Sequence, residues 1–167
     1  MDMTTVIRGE DHLPNTPRQV LLYAALGWEP PRFAHHGLLL GPDRAKLGKR
    51  HGATSVEAFR DMGILPSALA NYLAVAGTEG ARPAEVMGME ELAAGFSLSR
   101  AGKNAAVFDP EKLRWLNRRH MARLSPDELA RAMTPYLAAA GCNPGGRSPR
   151  WLREAASVMA ENVETLA

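Results

Sequence analysis

The first forty residues constrain the fold of this chain most. Thr4-Thr5-Val6-Ile7-Arg8 is short and β-branched and runs into Gly9, which reads as a buried strand entering a loop. Thr16-Pro17-Arg18-Gln19 carries a capping box with proline at the first helical position, and Gly27 is the expected helix stop. Residues 34–40 read as a second strand with Leu38-Leu39-Leu40 as its apolar centre. Strand, helix and strand within about forty residues is the size of one βαβ unit. Two strands are too few to stand alone, because a stable sheet needs three or more strands or a covering helix.

From residue 54 to the end every signal is helical. Thr54 with Glu57 and Ser125 with Glu128 read as capping boxes, and Asp109-Pro110, Ser125-Pro126 and Ser148-Pro149 as cap-plus-proline starts. Gly63, Gly77 and Gly141 are the expected stops. The helix from Ser148 runs to Ala167 with no Gly, no Pro and no basic last turn to end it. The expectation is a mainly α chain with a small α/β piece at its start, and both ends read as cut from something larger.

Several classes of protein fall away on composition. With 46% apolar and 23% charged residues the chain is an ordinary globular one. No apolar run approaches the ~20 residues of a membrane span. Met1-Asp2-Met3-Thr4-Thr5 lacks the basic start and apolar stretch of a signal peptide, so a cytoplasmic location is expected. The one cysteine, Cys142, cannot form an internal disulfide, and with five scattered histidines it builds no zinc site, so no metal is assigned. The net charge of +2 conceals a basic block, in which residues 100–123 hold seven basic and two acidic side chains. Such a block fits an anionic partner such as nucleic acid, and equally a solvated helical face.

The most chemical segment is the loop Gly41-Pro42-Asp43-Arg44-Ala45-Lys46-Leu47-Gly48-Lys49-Arg50-His51-Gly52. Two lysines at i, i+3 with Gly48 between them suit phosphate, whose charge spreads over several oxygens and must be met as it develops. A plain solvated loop carries the same spacing.

Longer stretches add a resemblance. Val6-Ile7-Arg8-Gly9-Glu10-Asp11-His12-Leu13-Pro14-Asn15-Thr16-Pro17-Arg18-Gln19 resembles a late segment of the glutamyl-tRNA synthetase catalytic domain, a class I aminoacyl-tRNA synthetase. Lys46-Leu47-Gly48-Lys49-Arg50-His51-Gly52-Ala53 lies where that family's "KMSKS" loop belongs. The likeness continues through Leu65-Pro66-Ser67-Ala68-Leu69-Ala70-Asn71-Tyr72-Leu73 and through Ala106-Val107-Phe108-Asp109-Pro110-Glu111-Lys112-Leu113-Arg114-Trp115-Leu116-Asn117, a stretch similar to the family's stem-contact region. The resemblance covers essentially the whole chain and is carried by these four motifs in order.

The resemblance implies ATP-dependent glutamylation of tRNA, with magnesium accompanying ATP and with tRNA, ATP and glutamate as partners. It implies that Arg8 pairs with the glutamate substrate, for which a guanidinium–carboxylate fork is apt chemistry. It places Asp11 and His12 near the ATP ribose and base, the Leu39 backbone along the adenine, and Lys49, with Lys46, at the ATP phosphates as the catalytic pair. Lys112, Arg118, Arg119 and Arg123 would face the tRNA. It divides the chain into the end of a Rossmann-like catalytic domain over 1–53, a helical stem-contact region over 54–124 and the start of an α-helical anticodon-binding region over 125–167.

Each residue also has a plainer reading. Arg8 at a strand end suits a surface ion pair. His12 suits a satisfied loop histidine, His35-His36 structural positions, Asp109 a helix cap, and Trp115 and Phe108, spaced with Leu113 and Leu116, the core. The chain departs from the family at Gly48, where a serine is usual, and at His36-Gly37, where a Leu-Pro pair is usual. The family's first ATP signature, the "HIGH" type, is not found, since His35-His36-Gly37-Leu38 follows the late strand. The 167 residues are therefore expected to be inactive alone. The alternatives are a non-catalytic tRNA- or partner-binding remnant, and one half of a split synthetase. Exposed strand edges would favour a homodimer or a separate N-terminal half.

Overall fold

A computed structural model describes residues 2–48, 50, 52, 55–78, 86–102 and 104–167. The chain divides into two compact units. It is mainly helical with a small α/β piece, as the sequence leads one to expect.

The first unit holds Met1–Gly48, Ala76–Ala81 and Phe96–Phe108. Strand β1 (Thr5–Gly9) and strand β2 (Arg32–His36) pair in parallel, with helix α1 (Thr16–Ala25) between them in sequence, so the βαβ unit is present. The register sets Arg8 opposite His35. Gly27 takes φ +69° and ends the helix turn as expected. The N-cap is not Thr16, however. Asn15 precedes the helix without a side-chain cap, and the Thr16 hydroxyl is turned to Arg8 and His35 instead.

The strand expected over 34–40 is two strands. β2 ends at His36, and β3 (Leu39–Leu40) pairs in parallel with β4 (Ala106–Val107) in a sheet of its own. The break lies at Gly37, whose N–H donates to the Gly102 carbonyl at 3.0 Å. A Cβ at this position would come within 2.2 Å of the Asn104 carbonyl oxygen, so only glycine admits so close an approach. β4 and the Thr78–Ala101 bridge also correct the expectation of helix alone beyond residue 54. After β3 the chain doubles back. Arg44, at φ 59°, donates to Gly41, Gly41 donates to Ala45, and Lys46 forms an antiparallel bridge with Leu40.

The second unit holds Lys49–Val75, Arg82–Gly95 and Asp109–Ala167. Its helices are α2 (Val56–Asp61), α3 (Pro66–Ala76), α4 (Met89–Gly95), α5 (Pro110–Met121), α6 (Pro126–Ala139) and α7 (Pro149–Asn162). Leu69, Tyr72, Leu113, Leu116, Met121, Leu129 and Met133 form the buried centre. Asp109 caps α5, Ser125 with Glu128 makes a full capping box on α6, and Ser148 caps α7. The cap of α2 is Ser55, which accepts from the Ala58 N–H; the expected Thr54 lies outside the described residues.

Asn117, fully buried, ties three segments together. Its Oδ1 accepts from the Leu65 N–H at 2.8 Å, and its Nδ2 donates to the carbonyls of Glu164 at 2.8 Å and Gly63 at 3.2 Å. That pull explains why α7 stops at Asn162 without a stop signal. Val163 turns to extended backbone at φ −120°, and Leu166 is buried with its N–H on the Gly63 carbonyl at 3.0 Å. At the other end of α5, the Asp109 N–H donates to Tyr72 Oη at 2.7 Å, and burial raises the Tyr72 pKa.

Candidate functional site

Parallel pairing of β1 with β2 decides what surrounds Arg8. Arg8 is half-buried opposite His35, and the two-residue repeat of a strand puts Phe33 on the same face as His35. The guanidinium carbon lies 5.0 Å from the Phe33 ring centroid, a cation–π distance. Arg8 Nε donates to His35 Nε2 at 3.3 Å and Nη2 donates to Thr16 Oγ1 at 2.9 Å. Thr16 Oγ1 and His35 Nε2 are 3.1 Å apart, so the three side chains close a ring. This is a fixed guanidinium and not the exposed ion pair of the plainer reading.

Asp11 and Lys46 come together although they are 35 positions apart. The turn after β1 (Glu10–Asn15) brings in the carboxylate, the doubled-back loop after β3 brings in the ammonium, and the two form a direct ion pair. The hydrogen bond from Lys46 lowers the Asp11 pKa below the usual carboxylate range. Both groups remain accessible, at 64% and 32% exposure for Lys46 and Asp11, so the pair can open for a charged ligand. Gly9 belongs to the same arrangement: a Cβ there would meet Asp11 Oδ1 at 2.5 Å and the Leu38 side chain at 2.7 Å.

The remaining expected residues are distributed as follows. His12 is exposed, with Nδ1 at 3.5 Å from Asn15 Nδ2 and its carbonyl at 3.4 Å from Thr16 Oγ1. Leu39 lies half-buried in β3, and its carbonyl accepts from the Leu47 N–H at 2.9 Å. Lys49 lies outside the described residues. Arg8, Asp11, His12, Leu39 and Lys46 all belong to the first unit.

The basic helix is α5, in the second unit. Leu113 and Leu116 turn inward, and Arg118, Arg119 and Arg123 are exposed with Lys112 half-buried. Among the described residues no ion pair involves Lys112, Arg119 or Arg123. Arg118 donates to the Glu161 carbonyl at 3.2 Å and keeps its charge. Trp115 corrects the core reading: it is 37% exposed, with the Arg119 guanidinium 5.4 Å from its ring. The helix thus offers a cationic face with one aromatic ring in it.

Sequence reasoning missed Thr16, His35 and Phe33 as partners of Arg8. Thr16 looked like a cap and His35 like a structural residue. The available signal was the period of two between Phe33 and His35, but which strand residue meets Arg8 depends on register. Among the described residues no group of three His, Cys, Asp or Glu is placed to hold a metal, and no helix is long and apolar enough to cross a membrane.

Comparison with known proteins adds three findings. Residues 1–115 match the family described as tRNA synthetases class I (E and Q), catalytic domain. A glutamate–tRNA ligase of Syntrophus aciditrophicus is 48% identical over 167 residues, covering all of this chain and 34% of that protein, and one of a Synechococcus species is 48% identical with 35% of its length covered. A glutamate–tRNA ligase of Elizabethkingia meningosepticum, crystallised with its amino acid, superposes with a TM-score of 0.76 at 30% identity, over 98% of this chain and 36% of its own. The chain spans about a third of the length of the relatives it matches.

Proposed function

Because this chain belongs to the family of class I tRNA synthetases for glutamate and glutamine, we propose that it supplies the glutamate-binding arginine, the phosphate-binding lysine loop and a tRNA-binding helix for ATP-dependent glutamylation of tRNA. In that reaction the glutamate carboxylate attacks the α-phosphorus of ATP, pyrophosphate leaves, and the acyl group passes to the terminal ribose of the tRNA. The observation that carries the reading is the Arg8 cluster, a guanidinium fixed by three neighbours and free to fork onto a carboxylate.

Asp11, His12 and the Leu39 backbone belong to the ATP side of the site in this reading. Lys46, with Lys49, meets the charge that develops on pyrophosphate, which magnesium accompanies as part of the ATP complex. ATP phosphates compete with Asp11 for Lys46, so the observed ion pair is the resting arrangement. Lys112, Arg118, Arg119 and Arg123 neutralise tRNA phosphates. Such a protein works in the cytoplasm. We place the end of the catalytic domain at 1–53, the stem-contact region at 54–124 and the beginning of the anticodon-binding region at 125–167.

The 167-residue chain in isolation is proposed to be inactive, because it brings one of the two signatures that grip ATP. Orientation of both reactants supplies ~7–11 kcal/mol of such a barrier. ATP–pyrophosphate exchange with glutamate and tRNA should read at background for the chain alone. It should rise when a polypeptide bearing the first signature is added, and fall again with Arg8→Ala. Background exchange with both polypeptides present would overturn the ligase reading in favour of a non-catalytic tRNA-binding protein.

A further inference from the structure

We propose that His35 and Thr16 are positioning residues for Arg8, a role that rests on the glutamate reading of Arg8 only for the identity of the ligand. An arginine presents five N–H donors in a planar fork, and only a fork held at a fixed angle discriminates a carboxylate from other anions. Here His35 takes the Nε–H at 3.3 Å and Thr16 takes one Nη2–H at 2.9 Å, which together occupy the Nε/Nη2 edge. The Nη1/Nη2 edge remains for two parallel bonds to a carboxylate. Phe33 closes one face of the plane, with the guanidinium carbon 5.0 Å from its centroid.

The donors also fix the protonation of the ring. Arginine does not give up its proton, so His35 Nε2 must be the acceptor, which makes the imidazole neutral with its hydrogen on Nδ1. Thr16 Oγ1 accepts from Nη2 and donates its own hydrogen to the His12 carbonyl at 3.4 Å, since the one Nε2 lone pair is taken by Arg8. Every proton in the ring then has a destination. Register makes the arrangement possible, because Arg8 and His35 are direct partners across the parallel pair while Thr16 opens the helix that follows β1. A surface arginine serving only stability needs neither an aromatic floor nor two aligned neutral acceptors.

The test follows the Arg8 Nε–Hε signal by 15N NMR in the full 167-residue chain, assigned by its loss in Arg8→Lys, with L-glutamate as the probe. In the unaltered chain the signal should be sharp and slow to exchange with water, and should move on addition of glutamate. His35→Phe, which keeps a ring but loses the acceptor, and Thr16→Val should each broaden it and weaken the glutamate response about tenfold, the scale of one lost charge-assisted hydrogen bond. His35→Gln, whose amide oxygen can accept, should restore both, which a purely structural loss would not allow. The β1 and β2 backbone signals report whether each variant remains folded. If His35→Phe and Thr16→Val, with those signals intact, leave Arg8 Nε–Hε and the glutamate response unchanged, the proposal is overturned. If the signal depends on His35 and Thr16 but glutamate moves it in no variant, positioning stands and the glutamate reading fails.

Discussion

Helix α1 of the first unit turns Leu21, Leu22 and Leu26 outward at 69%, 63% and 58% exposure, whereas α5 of the second holds Leu113, Leu116 and Met121 at 2%, 0% and 1%. The contrast extends to the whole of each unit. The buried hydrophobic core of the described residues lies between Phe59 and Leu166 in the second unit, and the first joins its segments by parallel strand pairing and polar side-chain contacts. Arg8 with Thr16 and His35, and Asp11 with Lys46, are the side-chain contacts that join distant segments there. The lesson is one of division of labour. The second unit is held by packed apolar side chains, and the first by parallel strand pairing and a few polar contacts between segments distant in sequence.

The sharpest way to break this comparison is to truncate equivalent leucines. Leu116→Ala opens a cavity in a fully buried site and should cost ~2–5 kcal/mol of unfolding free energy, whereas Leu22→Ala, at an exposed position, should stay within about 0.5 kcal/mol. Urea unfolding followed by circular dichroism measures both. Equal losses would mean that the α1 face is buried in solution.

A smaller effect probes what the second unit's surface is for. If α5 binds tRNA by phosphate neutralisation through three or four contacts, raising salt from 50 to 200 mM should weaken binding roughly tenfold to a hundredfold. Arg118→Ala with Arg119→Ala should flatten the log–log salt slope by about 2, while replacing Lys46 and Lys49 should leave tRNA affinity nearly unchanged. An unaltered slope in the double arginine variant would reduce α5 to a solvated face.

The smallest effect is on pH dependence. His120 is buried with Nε2 at 3.0 Å from Asn71 Oδ1, and burial followed by the charge of Arg123 lowers its pKa. The unfolded chain takes up this proton near the ordinary value of ~6.5, while the folded chain resists it until lower pH. Stability from this group is therefore full above about pH 6.5 and is lost as pH falls below it. Urea midpoints between pH 7.5 and 5.5 should decline for the unaltered chain and decline less for His120→Gln. An identical decline in the variant would assign the pH dependence to other groups.

Much of this could be read from the sequence because the signals were local. The caps Asp109, Ser125 with Glu128, and Ser148, and the stops at Gly27, Gly63 and Gly141, each depend on a few neighbouring backbone groups and each is observed. The inward turn of Leu113 and Leu116 followed from the helical period alone. Lys46 stood out in the lysine loop and Asp11 only through the family resemblance, and their meeting depends on how the loop after β3 doubles back. Trp115 was misread because period assigns a residue to a face and not to a depth.

What the sequence determined by itself is most of the order and kind of the elements: a βαβ start, a lysine-bearing loop and a series of capped helices, read from apolar periodicity and from caps and stops closed within one turn of chain. Only the tertiary structure decided what required partners distant in sequence. It split the second strand at Gly37, where the Asn104 backbone demands a residue without Cβ. It ended α7 at Asn162, where Asn117 holds the Glu164 carbonyl and the Gly63 carbonyl holds the Leu166 N–H. It turned Thr16 from a cap into an acceptor for Arg8, because strand register set His35 beside both. In each case the deciding contact joins segments whose proximity costs loop-closure entropy that no local pattern records.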